Sequence, residues 1–284
     1  MRKIRSMCSA LLGCAALLLA AGSVLAQAYP AKPIRVIDGY PPGGTTDIVA
    51  RFIAPKFLES QRQPWVIENR PGAQGIIAND MVARSAPDGY TLLMFTGGHA
   101  VHPSLYKNMP YDLTRAFVPV TMTSDSQSVL MVHPSVPART VKELIALAKA
   151  NPGRLNFSSG GPGSGSHMAM ELFNSMAGIK MTHIPYKGGA PAVMDIAAGH
   201  IDLGFGTMPI ASPHIRSGKV RALAVSRLTR AIALPDVPTV AEAGLPGYEA
   251  TNATGVLAPA GTPREIVVKL QQEIARILKL PDVR

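Results

Sequence analysis

One unit occurs twice in this chain and constrains its fold more than any other feature. It is a short apolar strand, a glycine-rich turn and a helix that opens beside hydroxyl residues. The first copy runs Ile34-Arg35-Val36-Ile37, then Tyr40-Pro41-Pro42-Gly43-Gly44-Thr45-Thr46-Asp47, then a helical stretch from Ile48 to about Ser60. The second runs Leu155 to Ser158, then Gly160-Gly161-Pro162-Gly163-Ser164-Gly165-Ser166, then a helix from His167 to Ala177. Around the first copy, strands at 65–68 and 90–95 and a helix at 75–85 complete a β-α-β-α-β order, which predicts a parallel sheet covered by helices. A second unit begins near Ser126, with strands at 128–133, 155–158, 182–185, 201–205 and 220–226 and helices at 140–150, 167–177 and 190–198. The chain is then expected to return to the first unit and end in the amphipathic helix Pro263 to Leu278. The expected division is domain 1 over 29–126, domain 2 over 127–252 and a return to domain 1 over 253–284. Two α/β units joined by more than one crossover enclose a hinged cleft, and ligands of such sheets lie outside the carboxyl ends of the strands. Both glycine turns fall there.

The first residues address the compartment. Arg2, Lys3 and Arg5 precede an apolar run from Ala10 to Ala21 and the small-residue site Val24-Leu25-Ala26. That is the layout of a secretory signal peptide over 1–26, cleaved after Ala26 or Ala28. The run is shorter than the roughly 20 residues a membrane-spanning helix needs. Leu11-Leu12-Gly13-Cys14 resembles a lipobox, but the apolar run continues past Cys14. Both cysteines, Cys8 and Cys14, lie inside this leader. The exported chain therefore has no disulfide and no thiolate nucleophile, and rests on its hydrophobic core. Removing the three cations of the leader lowers the formal charge from +10 to +7. With no run of clustered cations and few aromatic residues, that charge reads as a field for small anions rather than a nucleic-acid groove.

Each glycine turn is a candidate anion site. Glycines let backbone approach a ligand, and the helix that follows offers unpaired N–H groups at the positive end of its dipole. An ordinary capped βα turn has the same composition, so one such turn is weak and two facing turns are stronger. The second turn lacks the Gly-Lys-Ser/Thr of a nucleotide P-loop. No Gly-x-Ser-x-Gly elbow is present. Ser164 and His167 could serve a hydrolase, but a helix-start serine and first-turn histidine more often cap and pack. His99 and His102 lack a metal-binding context, and no cofactor is expected. Asp195 reads as an exposed helix residue.

At these turns the sequence resembles the solute-binding proteins of tripartite tricarboxylate transporters, the Bug-type receptors. The carrying segments are Tyr29-Pro30-x-Lys32-Pro33-Ile34-Arg35, the Pro41 to Asp47 turn, Glu68-Asn69-Arg70-Pro71-Gly72-Ala73 and Pro87 to Leu93. Pro185 to Ala192, Pro235 to Thr239 and Ala258 to Pro263 follow in family order. The resemblance implies an α/β two-domain periplasmic binding protein (Venus-flytrap) fold, with a small carboxylate held in the cleft between domains. It implies ligand contacts from Tyr40, Gly43, Gly44, Thr45, Thr46 and Asp47 on the first turn. The second would supply Ser159, Gly161, Gly163, Ser164 and His167, and Gly189, Ala190 and Asp202 would face the pocket. It further implies a monomeric, non-enzymatic periplasmic protein partnered by two integral-membrane transporter subunits and not by nucleic acid. An orphan ligand sensor and a periplasmic serine hydrolase are the alternatives.

Four departures stand out. Asp38-Gly39 replaces the usual Val-Pro, placing an extra carboxylate at the expected mouth of the first turn, where it would repel an anion. Gly206 replaces an acidic residue and Ala253 an aromatic one. Relatives continue past the position of Arg284 through a segment expected to complete the first domain.

Overall fold

Residues 29–283 are described by the computed structural model of the protein; the expected leader lies outside them. In chain order the elements are β1 (Ile34–Asp38), α1 (Thr45–Gln61), β2 (Trp65–Asn69), α2 (Ile76–Ala83), β3 (Thr91–Thr96), α3 (His102–Leu105), β4 (Phe117–Val132), α4 (Val141–Ala150) and β5 (Asn156–Ser159). They continue as α5 (Gly165–Ala177), β6 (Thr182–Pro185), α6 (Gly189–Ala197), β7 (Leu203–Thr207), α7 (Met208–Arg216), β8 (Arg221–Val225), β9 (Thr251–Pro259) and α8 (Arg264–Ile277).

The apolar strands β1, β2 and β3 pair in parallel, with β1 in the middle. The same rule places β5 between β6 and β7. The strand path runs β2-β1-β3-β9-β4-β7-β5-β6, with β8 paired to β4. Strand β4 belongs to both ends of this path. Its first part, Phe117 to Gln127, pairs antiparallel with β9. Its last residues, Ser128 to Val132, pair with β7 and β8. The sheet therefore divides within β4 into two lobes, and the chain passes between them along β4 and β9.

Helices cover both faces of each lobe, so each lobe has two apolar clusters. Helix α1 buries Thr46, Ala50, Ile53 and Phe57, a stripe at helical spacing. Phe57, Trp65, Leu92, Val256, Leu270 and Ile274 form one cluster of the first lobe. Ile37, Ile76, Val82, Leu93 and Phe117 form the other. In the second lobe, Leu130, Phe157, Met170, Phe173, Phe205 and Tyr248 pack on one face and Met131, Val193, Ile196 and Val225 on the other.

Several elements depart from the sequence reading, among them strand β9 and the short helix α3, neither of which was expected. The strand expected at 128–133 extends back to Phe117. Its added part contains Pro119 and a Thr-Ser-Asp-Ser-Gln run without apolar alternation, and its partner β9 lies more than a hundred residues away in sequence. Helix α7 was not expected; it contains Pro209 and Pro213, of which Pro209 sits at the helix start, where a missing N–H costs nothing. The helix expected over 75–85 is preceded by a 3₁₀ turn at Ala73–Gly75.

Candidate ligand cleft

The strand–turn–helix unit fixes where helices begin, and four of them begin at one place. Helices α1, α5, α6 and α7 follow the carboxyl ends of β1, β5, β6 and β7, with N-caps Gly44, Ser164, Gly188 and Thr207. A helix leaves its first N–H groups without intrahelical partners. Only at α5 does a side chain take one, Ser164 Oγ accepting from His167 N at 3.3 Å. The helix starts surround a cleft with about 650 Å³ of empty space, part of it open to solvent. Among the described residues no Lys, Arg, His, Asp or Glu lines it. The polar lining is backbone, Tyr40, Thr45, Thr46, Thr96, Ser164, Ser166, Thr207 and Asn252, and the apolar lining includes Pro41, Pro191, Phe205 and Ile210. Four positive helix ends without a fixed cation form a site for an anion held by amides and hydroxyls.

The extra carboxylate is not at the mouth. Asp38 is fully buried beneath the first turn. Thr46 Oγ1 lies 2.9 Å from each of its carboxylate oxygens, and Tyr40 N donates to Oδ1 at 3.1 Å. Burial pushes the Asp38 carboxyl up to about 7, with the Thr46 and Tyr40 bonds pulling the other way. The expected direct repulsion is thus replaced by a buried group one hydroxyl removed from the cleft.

Of the residues expected in the site, Tyr40, Gly44, Thr45, Thr46, Ser164, Gly189 and Ala190 line the cleft. The others do not. Gly43 has φ +80° and open space around it, and shapes the turn. Asp47 Oδ2 accepts from Gly43 N and from Arg51 Nε, each at 2.9 Å, bracing that turn. Burial would raise the Asp47 carboxyl, but the bonds from Arg51 and Gly43 hold it below its ordinary value. Ser159 is fully buried and bonded to His183 Nε2 at 2.6 Å. His167 stacks on His183 at 4.1 Å and accepts from Gly163 N through Nδ1 at 3.2 Å. Burial lowers both imidazoles, His183 to about 4. Neither the Ser164–His167 pair nor Ser159 thus presents an activated hydroxyl to the cleft. Asp202 lies at the opposite end of β7, where Oδ2 accepts from Asn156 N at 2.7 Å and its carbonyl accepts from His133 N at 2.8 Å. The physical reason is strand direction: residues before β7 face away from the carboxyl-end cleft.

Gly161 and Gly163 instead form the contact between lobes. A Cβ on Gly161 would fall 1.9 Å from Gln74 Nε2, and one on Gly163 would fall 2.7 Å from Leu105 Cδ1. Opposite them, Gly98 presses against the backbone of Gly163 to Gly165. Thr45 Oγ1 and Thr207 Oγ1 meet at 2.8 Å across the cleft. The lobes are therefore closed on one another. His99 and His102 are both fully buried beside this contact, and burial lowers His99 to about 3.

The sequence reading missed Thr207, Asn252 and Thr96. Thr207 ends a strand and starts a helix, so the rule that found the two glycine turns also applies to it. Asn252 and Thr96 come from β9 and the end of β3, where no local signal marks them.

An α/β frame in two lobes, with helix starts converging on the cleft between them, defines a solute-binding protein of the periplasmic binding protein fold. The chain belongs to the tripartite tricarboxylate transporter receptor family: residues 49–284 match the model described as "Tripartite tricarboxylate transporter family receptor". It is 41% identical over 261 residues to Protein BugT of Bordetella pertussis, covering 91% of this chain and 80% of that one. Among solved structures, Rpa4515 of R. palustris, determined with adipate, has 38% identity and a TM-score of 0.87, covering 90% of this chain and 86% of that one. MatC (Rpa3494) from Rhodopseudomonas palustris, with bound malate, has 34% identity and a TM-score of 0.85, covering 90% and 87%.

Proposed function

We propose that this solute receptor works in the periplasm, captures a small carboxylate in the cleft and hands it to two membrane subunits of a tripartite transporter, without catalysing a reaction. The observation that carries the reading is the convergence of four helix starts on a cleft lined by no charged side chain among the described residues. The carboxylates named for Rpa4515 and MatC support the same ligand chemistry. In this reading the two lobes are domains hinged where β4 and β9 run together. The Thr45, Thr46, Gly189 and Ala190 helix starts hold the anion, with Tyr40, Gly44, Ser164, Thr207 and Asn252 around it. The protein acts as a monomer.

The test is a thermal-shift screen of the exported chain against adipate, malate, citrate, glutamate and benzoate, followed by calorimetry, with carboxylate esters as turnover controls. Saturable binding with every ester recovered unchanged is expected. Ester hydrolysis, or no binding by any acid, defeats the proposal.

The Thr45–Thr207 contact gives a sharper prediction. Each hydroxyl belongs to a different lobe, so the bond exists only when the cleft is closed. Thr45→Val is expected to weaken carboxylate affinity by about tenfold, the scale of one lost hydrogen bond in a closed site. Thr207→Val should do the same, and the double variant should lose little more than either single one, because both remove one bond. Fully additive losses in the calorimetric cycle would show that the two hydroxyls act separately.

A further inference from the structure

We infer that anion capture in this cleft draws a proton onto Asp38 through the Thr46 hydroxyl, an inference that rests on the carboxylate reading of the site. Asp38 is fully buried and its carboxylate bonds no cation among the described residues; its polar partners are Thr46 Oγ1 and Tyr40 N. Thr46 also lines the cleft. A threonine hydroxyl has one proton. While Asp38 is ionised, that proton points down at the carboxylate, and Thr46 shows the cleft an oxygen lone pair, which repels an anion. Once Asp38 is protonated, its O–H donates to Thr46 Oγ1, and the Thr46 proton is free to turn toward the ligand. No covalent bond between heavy atoms changes. One proton passes from solvent to Asp38, the hydrogen bond between Thr46 and Asp38 reverses direction, and the freed Thr46 O–H forms a new bond to the ligand.

The surroundings leave this group to respond. From α1, Asp47 raises the Asp38 carboxyl and Arg51 lowers it, but those two are paired with each other at 2.9 Å. From the end of β2, Arg70 gives Asp38 only a backbone N–H at 2.7 Å, and its guanidinium bonds Glu68 at 2.9 Å. From β3 the register partner is the apolar Met94. From the turn, Tyr40 is a phenol, and burial keeps it neutral. Burial has already brought Asp38 up to about 7, so an approaching negative charge moves it through the neutral range. The sign follows from linkage: the bound state holds more protons than the free state, so affinity is greatest below the free-state value, falls as pH rises from the free-state to the bound-state value, and levels off above the latter.

Asp38 is then a positioning residue that acts through Thr46. The experiment is calorimetry of adipate, malate and benzoate from about pH 6, where these acids are still largely ionised, to about pH 9, in buffers of low and high ionisation enthalpy. The parent should take up as much as one proton per anion and lose up to about tenfold in affinity per pH unit over the upper part of the range. Asp38→Asn keeps a donor facing Thr46 permanently, so it should show no uptake and a flat profile near the parent's low-pH affinity. Thr46→Val should also abolish uptake, and Thr46→Ser should restore it. Binding without proton uptake and with a flat pH profile in the parent overturns the inference while leaving the carboxylate reading intact. Binding by none of the three acids at any pH removes that reading, and the inference with it.

Discussion

Gly98→Val is expected to give a folded protein that cannot close. Gly98 is buried in the contact between lobes and has no left-handed φ, so a side chain there does not strain its own backbone. A Cβ would lie 2.9 Å from Gly163 O, 3.3 Å from Gly165 N and 3.4 Å from Ser164 Cα. All three are backbone atoms of the opposing lobe and cannot swing away as a side chain tip could. Valine adds two further methyl groups. Overpacking of this kind costs about 1–3 kcal/mol, which places the affinity loss at roughly ten- to a hundredfold. In the open state the same residue meets solvent, so the melting temperature without ligand should stay near or below that of the parent by only a small margin. X-ray scattering with a saturating concentration of a carboxylate that the parent binds should then show no contraction. A variant that contracts and binds like the parent would mean that the closed contact at Gly98 is not part of capture.

Tyr248→Ala should have the largest effect on stability. The residue is fully buried, its hydroxyl donates to Ala169 O at 2.9 Å, and its ring stacks on Phe205 at 6.0 Å and meets Phe173 edge-on at 6.3 Å. Truncating a buried aromatic costs about 3–5 kcal/mol, a large share of the roughly 5–15 kcal/mol that holds a native protein. A fall of about 10 °C in Tm is expected. Tyr248→Phe removes only the hydrogen bond and should cost about 1 kcal/mol. Because Phe205 also lines the cleft, the alanine variant should lose affinity at temperatures where it remains folded. Urea unfolding and calorimetry of the two variants separate these effects. Equal costs for alanine and phenylalanine would show that the ring contributes nothing beyond its hydroxyl.

The parts of the fold that were legible in the sequence are those written in local pattern. The apolar runs of β1, β2 and β3 and the stripe on α1 carry their own pattern, and the glycine turns mark where strands hand over to helices. The strands that join the lobes carry no such pattern. Residues 117–127 of β4 and 251–259 of β9 are mixed, proline-bearing segments without clear alternation that pair with each other, and that pairing is invisible to any short window. The site divides in the same way. Thr45, Thr46 and Ser164 follow from the rule that helix starts attract anions, Gly189 and Ala190 from the family resemblance, and all five line the cleft. Gly161 and Gly163 obey the same composition rule, yet they serve the approach of one lobe to the other, because what a glycine admits depends on what lies opposite. Asp202 was misplaced because its segment was read as facing the pocket when it precedes its strand. Asp38 stood out as an oddity of sequence, but only its burial turns a suspected repulsion into a group that can bind a proton.

The position of β9 also bears on how the protein assembles. It lies between β3 and β4 in the first lobe, pairing Leu93 with Leu257 and Phe117 with Pro259. The second lobe occupies one continuous stretch of chain between the two passages. It can therefore fold as soon as that stretch is free, while the first lobe waits for the strand that joins β3 to β4 from the far side of it. Contacts between residues so distant in sequence form slowly, since the entropy of closing the intervening loop is lost before any pairing compensates. If the inserted lobe condenses first, it shortens that loop by bringing the start of β9 to the end of β4, and its own folding then templates the closure of the lobe that encloses it.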